Sequence, residues 1–259
     1  MSTLVVIPTY NERENVESIV SRVRSASPGV EVLIVDDNSP DGTGDLADGL
    51  ARADANVHVL HRAGKEGLGA AYREGMRWGI DAGYDRIVEM DADGSHQPEQ
   101  LDRLLAALRP EGAPDDAPGA DLVLGSRWVA GGGVVNWPTR RRLLSRAGSA
   151  YSRIALGVTA KDVTGGYRAF TAEALRRIRF DDVESQGYCF QIDMLRRAYA
   201  AGLSVAEVPI TFVERERGAS KMTGAIVGEA MLRVTVWGIA GLPKRFRRPS
   251  PAAVRATVR

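Results

Sequence analysis

Two aspartates separated by a single alanine, Asp91 and Asp93, form the segment of this chain that is best suited to chemistry. They directly follow the run 86–90, which has the composition of a buried strand. Carboxylate oxygens are preferred ligands of Mg²⁺ and Mn²⁺, and these ions often bind substrate phosphates at the same time. The spacing therefore predicts a divalent metal site at the mouth of a strand, and a solvated acidic turn is the alternative interpretation.

Polar clusters also follow three other predicted strands, at residues 8–12, 36–43 and 125–127. Ligands of open α/β sheets bind beyond the carboxyl ends of the strands, where such clusters meet. Each cluster alone is an ordinary turn, but together they predict one polar pocket that contains carboxylates, an aromatic ring and a cation.

The contents of this pocket fit a nucleoside diphosphate. Tyr10 can lie against a base, and Glu12 or Asp37 can accept hydrogen bonds from the base or the ribose. A metal ion at Asp91 and Asp93 would neutralise the diphosphate.

Alternating strand and helix patterns must position these clusters. Strand patterns lie at 4–7, 30–35, 57–60, 87–90 and 122–125, with helix patterns between them at 12–24, 43–52, 68–81 and 98–108. Thr43 is predicted to be the N-cap of the second helix. The alternation predicts an α/β fold with a Rossmann-like, mostly parallel sheet and helices on both faces.

The second half of the chain is less regular. Residues 109–120 are rich in proline, glycine and acidic residues and predict a surface loop, and the glycines at 131–133 predict a mobile stretch. Further helices are predicted at 140–156, 172–178, 190–201 and 223–239, and a strand pair or bent strand at 205–213 around Pro209. We predict one domain over residues 1–243, which ends in an amphipathic helix, and a basic, disordered tail over residues 244–259.

Composition excludes several classes of protein. The 259 residues include 34 Lys and Arg against 33 Asp and Glu, and this balance argues against a nucleic-acid-binding protein. The single cysteine, Cys189, excludes an internal disulfide and a cysteine-cluster metal site. The amino-terminal residues predict no signal peptide, and no apolar run is long enough for a transmembrane helix.

A series of longer motifs carries a family resemblance. In chain order they are VIPTYNE at 6–12, VDDNSPDGT at 35–43, GLGAAY at 67–72, MDADGSHQP at 90–98, GSR at 125–127, DVTGGYR at 162–168, GYCFQ at 187–191, EVPI at 207–210 and RERGASK at 215–221. The chain resembles the family 2 glycosyltransferases of the GT-A fold, and among them the polyprenol-phosphate (dolichol-phosphate) mannose synthases. The resemblance covers roughly residues 4–237 and implies that residues 1–243 are a catalytic domain.

The resemblance also implies a role for individual residues. The residues that it assigns to the nucleotide are Pro8, Tyr10, Glu12, Val35, Asp37, Asp91, Ala92, Asp93, Arg215 and Lys221. Asp91 and Asp93 would bind Mg²⁺ or Mn²⁺, with Ser95 as a further metal ligand. Contacts to the acceptor phosphate are implied for Arg127, Arg141 and Ser145, and the catalytic set would be Asp91, Asp93 and Arg127.

The implied reaction transfers mannose from GDP-mannose to a polyprenyl phosphate, with inversion, to give a β-linked product. A phosphate monoester is largely ionised at neutral pH because its second pKa is near 6, so this acceptor needs no general base. No histidine stands in an obvious base position; His58 and His61 flank a strand, and the role of His96 beside the metal segment stays open.

A membrane-bound acceptor requires that the enzyme reach a membrane. The late helix carries apolar residues at helical spacing, and the basic cluster 244–248 follows it. Such a pattern can bind an anionic leaflet, although packing against the core explains the apolar stripe equally well. We expect peripheral attachment at the cytosolic face, with a separate membrane anchor protein as an additional partner.

Three alternatives remain at this stage. The same loops would serve another donor, such as UDP-glucose or UDP-N-acetylglucosamine. Residues 91–95 also fit the DxDG[ST] nucleophile loop of phosphohydrolases, in which Asp91 would attack a phosphate and Asp181 and Asp182 would be the acid pair. A noncatalytic nucleotide-binding module is the third alternative, and the intact acidic pair and the set of cations argue against it.

Overall fold

A central sheet of seven strands organises the computed structural model, which describes residues 1–110, 112–114, 116–183, 188–215 and 224–245. The strands of this sheet are β1 (Thr3–Thr9), β2 (Glu31–Asp36), β3 (Val57–His61), β4 (Arg86–Glu89), β5 (Leu122–Ser126), β7 (Arg168–Thr171) and β8 (Val205–Pro209). A separate two-stranded sheet pairs β6 (Gly133–Val135) with β9 (Thr211–Val213).

The order across the large sheet is β3-β2-β1-β4-β7-β5-β8. Every neighbouring pair is parallel except the two pairs that contain β7, which runs antiparallel to both β4 and β5. The mostly parallel sheet predicted from the sequence is therefore confirmed. Because the chain leaves β1 toward β2 and returns to its other side as β4, the crevice expected for a ligand lies between the carboxyl ends of β1 and β4.

Helices cover both faces of the sheet, as predicted. They are α1 (Val16–Ala26), α2 (Thr43–Ala53), α3 (Leu68–Asp81), α4 (Leu101–Ala107), α5 (Thr139–Leu156), α6 (Ala172–Ile178), α7 (Tyr188–Ala200) and α8 (Gly224–Arg245). Alternate residues of β1 enter two different cores: Val5 and Ile7 pack with α1 and α4, whereas Leu4 and Val6 pack with α3 and α7. None of the described helices has the length and apolarity needed to cross a bilayer.

The helix α3 lies unusually close to the sheet because glycines form its contact surface. A Cβ atom added to Gly75 would come within 2.4 Å of Val6 Cγ1, and one added to Gly79 within 2.8 Å of Leu4 Cδ2. The buried Tyr72 lies one turn before Gly75 on this helix, and its hydroxyl reaches Asp91, just beyond the end of β4.

Several predicted boundaries differ from those observed. The first helix begins at Val16 rather than at residue 12, and the predicted helix 98–108 is a short 3₁₀ turn, Pro98–Gln100, followed by α4. Thr43 is not the N-cap of α2, because Gly42 occupies that position and Thr43 is the first helical residue. The helix α8 continues to Arg245, past the predicted domain end at 243, and residues 246–259 lie outside the described ranges.

Two observed strands, β6 and β7, differ from what the sequence predicts. The strand β7 was not predicted, although it lies in the middle of the sheet. The stretch after the glycines 131–133 was predicted to be mobile, and this is wrong: it forms β6, paired in register with β9. Gly132 lies against the main chain after β5, where an added Cβ would be 2.4 Å from Ser126 O, so glycine permits this turn.

Candidate active site

The segment 91–96, called the acidic loop below, follows β4 at the edge of the predicted crevice. Its two carboxylates differ in exposure, since the side chain of Asp91 is 32% exposed and that of Asp93 is 8% exposed. Gly94 turns the loop with a φ of 73°, and the Ser95 N–H donates to Asp93 Oδ1 at 3.0 Å. The loop thus fixes Asp93 while Asp91 faces solvent.

Asp93 is ionised in this setting. Burial acts to raise its pKa, but hydrogen bonding from Ser95 and the positive charge of Arg215 outweigh that effect, and the pKa lies below its usual value. Arg215 Nη2 lies 3.0 Å from Asp93 Oδ2. A cationic group therefore already pairs with Asp93, which the sequence predicts to be a metal ligand.

Asp91 is positioned by two buried neighbours. The Tyr72 hydroxyl donates to Asp91 Oδ1 at 3.0 Å, and burial raises the Tyr72 pKa well above its ordinary value, so the hydroxyl remains a donor. The Asp91 N–H donates to His96 Nδ1 at 3.1 Å. Burial lowers the His96 pKa, which leaves a neutral ring with its proton on Nε2, 3.9 Å from Asp91 Oδ2.

His96 is enclosed by the acidic loop and two aromatic rings. Its side chain is 2% exposed and stacks on Tyr167 at 5.0 Å between ring centroids, with Phe212 at its edge. Its Nδ1 accepts the hydrogen bond from the Asp91 N–H and its Nε2 carries the proton, so neither ring nitrogen is available as a base in this arrangement. Its contacts instead fix the acidic loop.

The acidic pair fits a metal ion that arrives with a nucleotide. Within the described ranges, no group of three or more His, Cys, Asp or Glu side chains forms a metal-binding cluster. Two carboxylates alone suit Mg²⁺ or Mn²⁺, because these ions fill their remaining positions with water and substrate phosphates. Ser95, the third predicted ligand, is buried in the same loop.

The residues predicted to bind the nucleotide gather at the ends of β1 and β2. The buried Asp37 pairs with Arg62 at 2.5 Å, and burial raises the pKa of Asp37 despite this cation. The Lys65 ammonium group lies 4.1 Å from the centre of the Tyr10 ring. Pro8 and Glu12 are half-buried nearby, and the Glu12 carboxylate accepts a hydrogen bond from Asn15.

Val35 belongs to the core rather than to the surface of the crevice. Its side chain is fully buried against α3, in the same core as Tyr72 and Met76. Only its main chain, which meets Pro8 in the register of β1 and β2, could contact a nucleotide. Ala92, between the two aspartates, is likewise buried.

The predicted phosphate-binding cations are held in ion pairs. Arg127 makes a bidentate pair with the buried Asp162 at 2.7 and 2.6 Å, and it also donates to Thr164. Arg141 on α5 pairs with Glu214 and lies 4.2 Å from the centre of the Trp137 ring. Ser145 is half-buried one turn later in α5, and Lys221 lies outside the described ranges.

The sequence suggested no role for three residues that contact the predicted site residues. They are Tyr72, Asp162 and Glu214. Tyr72 and Asp162 lie within the motifs 67–72 and 162–168, so their motif membership was a usable signal. Glu214 directly precedes the last motif, and its pairing with Arg141 arises only from the fold.

The chain is similar in sequence to proteins of one family. The profile of glycosyl transferase family 2 matches residues 4–179. The undecaprenyl-phosphate mannosyltransferase of Micrococcus luteus is 58% identical over 240 residues, which cover 93% of this chain and 95% of that protein. The polyprenol monophosphomannose synthase of Mycolicibacterium smegmatis is 58% identical over 246 residues, which cover 95% of this chain and 90% of that protein.

Solved structures share the fold. Glucosyl-3-phosphoglycerate synthase from Mycobacterium tuberculosis, in complex with Mn²⁺, UDP and glucosyl-3-phosphoglycerate, has a TM-score of 0.61 at 23% identity over 96% of this chain and 81% of that one. A mannosyltransferase from Pyrobaculum calidifontis, in complex with GDP-Man and Mn²⁺, has a TM-score of 0.54 at 18% identity over 96% of this chain and 76% of that one. These neighbours confirm the predicted GT-A fold. The sheet, the acidic loop and the sequence match together place this chain in glycosyl transferase family 2.

Proposed function

We propose that this enzyme transfers mannose from GDP-mannose to a polyprenyl phosphate and inverts the anomeric centre, giving a β-linked lipid-phosphate mannose. The observation that carries the proposal is the 58% identity, over more than nine-tenths of the chain, to two proteins named for mannosyl transfer to such lipids. The acidic loop at the β1–β4 crevice supports it, since that is where a nucleotide-sugar diphosphate would bind.

On the donor side, Asp91 and Asp93 would hold Mg²⁺ or Mn²⁺, which would neutralise the diphosphate and stabilise the departing GDP. Structural neighbours that were solved with Mn²⁺ support the choice of a divalent ion. Tyr10 would face the base, and Pro8, Glu12, Asp37 and the main chain of Val35 would line the remaining nucleotide site. Arg215 and Lys221 would contact the phosphates.

On the acceptor side, the nucleophile is a phosphate oxygen that is already ionised at neutral pH. The neutral, enclosed His96 is consistent with chemistry that needs no general base. Arg127, Arg141 and Ser145 would orient the acceptor, and the cations would offset its repulsion from the donor diphosphate.

We also propose that the enzyme is peripheral at the cytosolic face of the membrane, with an anchor protein as an additional partner. Core packing explains part of the predicted stripe on α8, because Ala230 and Val234 are buried. Other apolar side chains of the same helix are exposed, among them Leu232 and Val236.

The phosphohydrolase alternative finds no support in the geometry. Asp91 follows β4 rather than the first strand of the sheet. Asp181 and Asp182, the suggested acid pair, are exposed in a turn after α6, where Asp181 pairs with Arg77. The noncatalytic alternative is likewise disfavoured, because the family match spans the whole acidic loop.

A transfer assay tests the proposal. The enzyme would be given radiolabelled GDP-mannose, UDP-glucose or UDP-N-acetylglucosamine with a short polyprenyl phosphate, in the presence of Mn²⁺ or of a chelator. We expect mannose transfer only, loss of activity with the chelator, a β-linked product, and loss of activity in Asp93→Ala. Full activity with the chelator, or an α-linked product, would contradict it.

A further inference from the structure

Two consecutive residues after β9, Glu214 and Arg215, each neutralise a group that the proposed reaction needs. Glu214 pairs with Arg141, the predicted acceptor-side cation, and Arg215 pairs with Asp93, the predicted metal ligand. The first pair is the important one, because the Glu214 carboxylate is bound to the same arginine that is proposed to bind the acceptor phosphate.

The main chain holds Glu214 in this place from two sides. The Val213 N–H donates to Ser95 O of the acidic loop at 3.2 Å, and the Glu214 N–H donates to Val135 O of β6 at 3.1 Å. Arg141 is aligned independently by Trp137, whose ring centre lies 4.2 Å from its guanidinium carbon. The carboxylate and the guanidinium therefore meet because both are positioned by the fold, not because two flexible side chains meet in solvent.

The pair between Arg141 and Glu214 is partly open to solvent. The side chains of Arg141 and Glu214 are 26% and 24% exposed, so solvent screens their attraction. A phosphate dianion carries more charge than a carboxylate and also accepts bidentate hydrogen bonds from a guanidinium. It should displace Glu214 from Arg141 rather than add to the pair.

Space exists for the displaced side chain. A cavity of about 250 Å³ opens between the start of α1 and the acidic loop, and Glu214 is among the residues that line it, with Asn15 and Asp93. The Glu214 side chain therefore borders open space, whereas its main chain is held by the hydrogen bond to Val135 O.

We propose that Glu214 is a placeholder for the acceptor phosphate: it holds Arg141 in position in the absence of the acceptor and yields it when a phosphate monoester binds. The inference rests on the proposed function for the identity of the acceptor. It makes Glu214 a positioning residue, which acts on the affinity for the acceptor through Arg141. No bond is made or broken in this exchange.

The test measures binding of geranyl phosphate, without donor or metal, by calorimetry at pH 7.5. We expect Glu214→Gln to bind about 2- to 5-fold more tightly than the wild type, since a competing charge is lost while the shape is kept. Glu173→Gln on α6, which removes the same charge from the exposed pair with Arg176, is the matched control and should bind like the wild type. Glu214→Ala provides a second variant should the glutamine form fold poorly.

A double-mutant cycle separates a placeholder from a merely structural residue. In an Arg141→Gln background, the gain from Glu214→Gln should disappear, because the contested cation is gone. In turnover assays, Glu214→Gln should lower the KM for the lipid phosphate and leave the KM for the nucleotide sugar unchanged.

Equal or weaker binding by both Glu214 variants, or no detectable binding by any of the proteins, would overturn the placeholder. Failure of the proposed function has a different signature. It would appear as absence of mannose transfer by the wild type, while the binding comparison on a phosphate monoester still gives its own result.

Discussion

Arg215 forms an ion pair with Asp93, which is also proposed to bind a divalent cation. The arginine and the metal ion should therefore compete for this carboxylate. Arg215→Gln is expected to raise the affinity for Mn²⁺ about 2- to 5-fold in the absence of nucleotide, because the competing ion pair with Asp93 is removed. With GDP present the gain should shrink or reverse, since the arginine is then proposed to contact the diphosphate. Electron paramagnetic resonance of free Mn²⁺ measures both values.

The control for this experiment is Arg176→Gln, which removes an exposed arginine of α6 and should leave Mn²⁺ binding unchanged. An Arg215→Gln variant that binds Mn²⁺ no better than the wild type, with and without GDP, would show that this arginine does not compete with the metal.

Glu89 makes the stability of the fold depend on pH. Burial raises its pKa from 4.5 to about 8, so the folded protein keeps the proton over a range in which the unfolded chain loses it. Stability from this group is complete below about pH 4.5 and is lost as the pH rises toward 8. Arg168 stays satisfied without Glu89, because its guanidinium donates to the carbonyl oxygens of Val163, Gly165 and Gln191.

Glu89→Gln should therefore reduce the fall in the free energy of unfolding between pH 5.5 and 8.5 by about 1–4 kcal/mol relative to the wild type. Urea unfolding in the presence of a chelator measures it, and the difference between the two proteins cancels the other titrating groups. Glu173→Gln should keep the wild-type slope, and the same slope in Glu89→Gln would refute the assignment.

At the residue scale, the sequence predicts those site residues whose pattern lies within a few neighbouring positions. Asp91 and Asp93 are recognisable because their spacing and the preceding strand lie within a few residues. The partner of Arg141 was not predictable, because Glu214 lies 73 positions away and meets it only through the pairing of β6 and β9. A sequence pattern thus supplies the charged groups, and the fold decides which of them neutralise one another.

At the scale of elements, the regular strands and helices were predictable and the insertion of β7 was not. The strands β1 and β2 are continuous apolar runs that end in polar clusters, a pattern typical of buried parallel strands. The strand β7 has only four residues and follows a glycine-rich segment, and its place between β4 and β5 depends on long-range pairing. No periodicity within four residues can reveal such a pairing.

The contact between α3 and the sheet gives a prediction at this scale. Gly75→Ala should lower the free energy of unfolding by about 1–3 kcal/mol, because the new methyl group would lie 2.4 Å from Val6 Cγ1 in a tightly packed core. The shift should also displace Tyr72 from Asp91 and reduce transfer activity. Chemical denaturation and the transfer assay measure the two effects.

The same substitution elsewhere serves as the control. An added Cβ at Gly49, in α2, would meet only Arg52 Nη2 at 3.9 Å, so Gly49→Ala should stabilise the protein by up to about 1 kcal/mol through helix propensity. If Gly75→Ala proved as harmless as Gly49→Ala, the close approach of α3 would not be a determinant of the site.

At the scale of the whole molecule, α5 and α8 form one surface outside the sheet. The two helices pack together, and the Tyr151 hydroxyl lies 2.6 Å from Thr235 Oγ1. Large apolar side chains of both helices are exposed: Leu143, Leu144, Ile154, Met231, Leu232, Val236 and Ile239. The first of these helices also carries exposed arginines, among them Arg140 and Arg142. Apolar side chains next to cations are typical of surfaces that bind anionic membranes.

The exposed apolar side chains of α8 predict that membrane binding can be reduced without loss of catalytic activity. Replacing Leu232 and Val236 together by serine should reduce flotation with vesicles that contain anionic lipid several-fold, because exposed apolar area is lost without a change in charge. Turnover of a water-soluble short polyprenyl phosphate should stay at the wild-type value, since neither residue lies in the proposed site. Turnover of a long-chain acceptor embedded in vesicles should fall in parallel with flotation.

The double variant Ser25→Ala and Ser21→Ala, on exposed positions of α1, is the control for general surface change. Unchanged flotation of the serine variant would remove α8 from the membrane-binding surface, and equal losses with both acceptors would indicate damage to the catalytic domain instead.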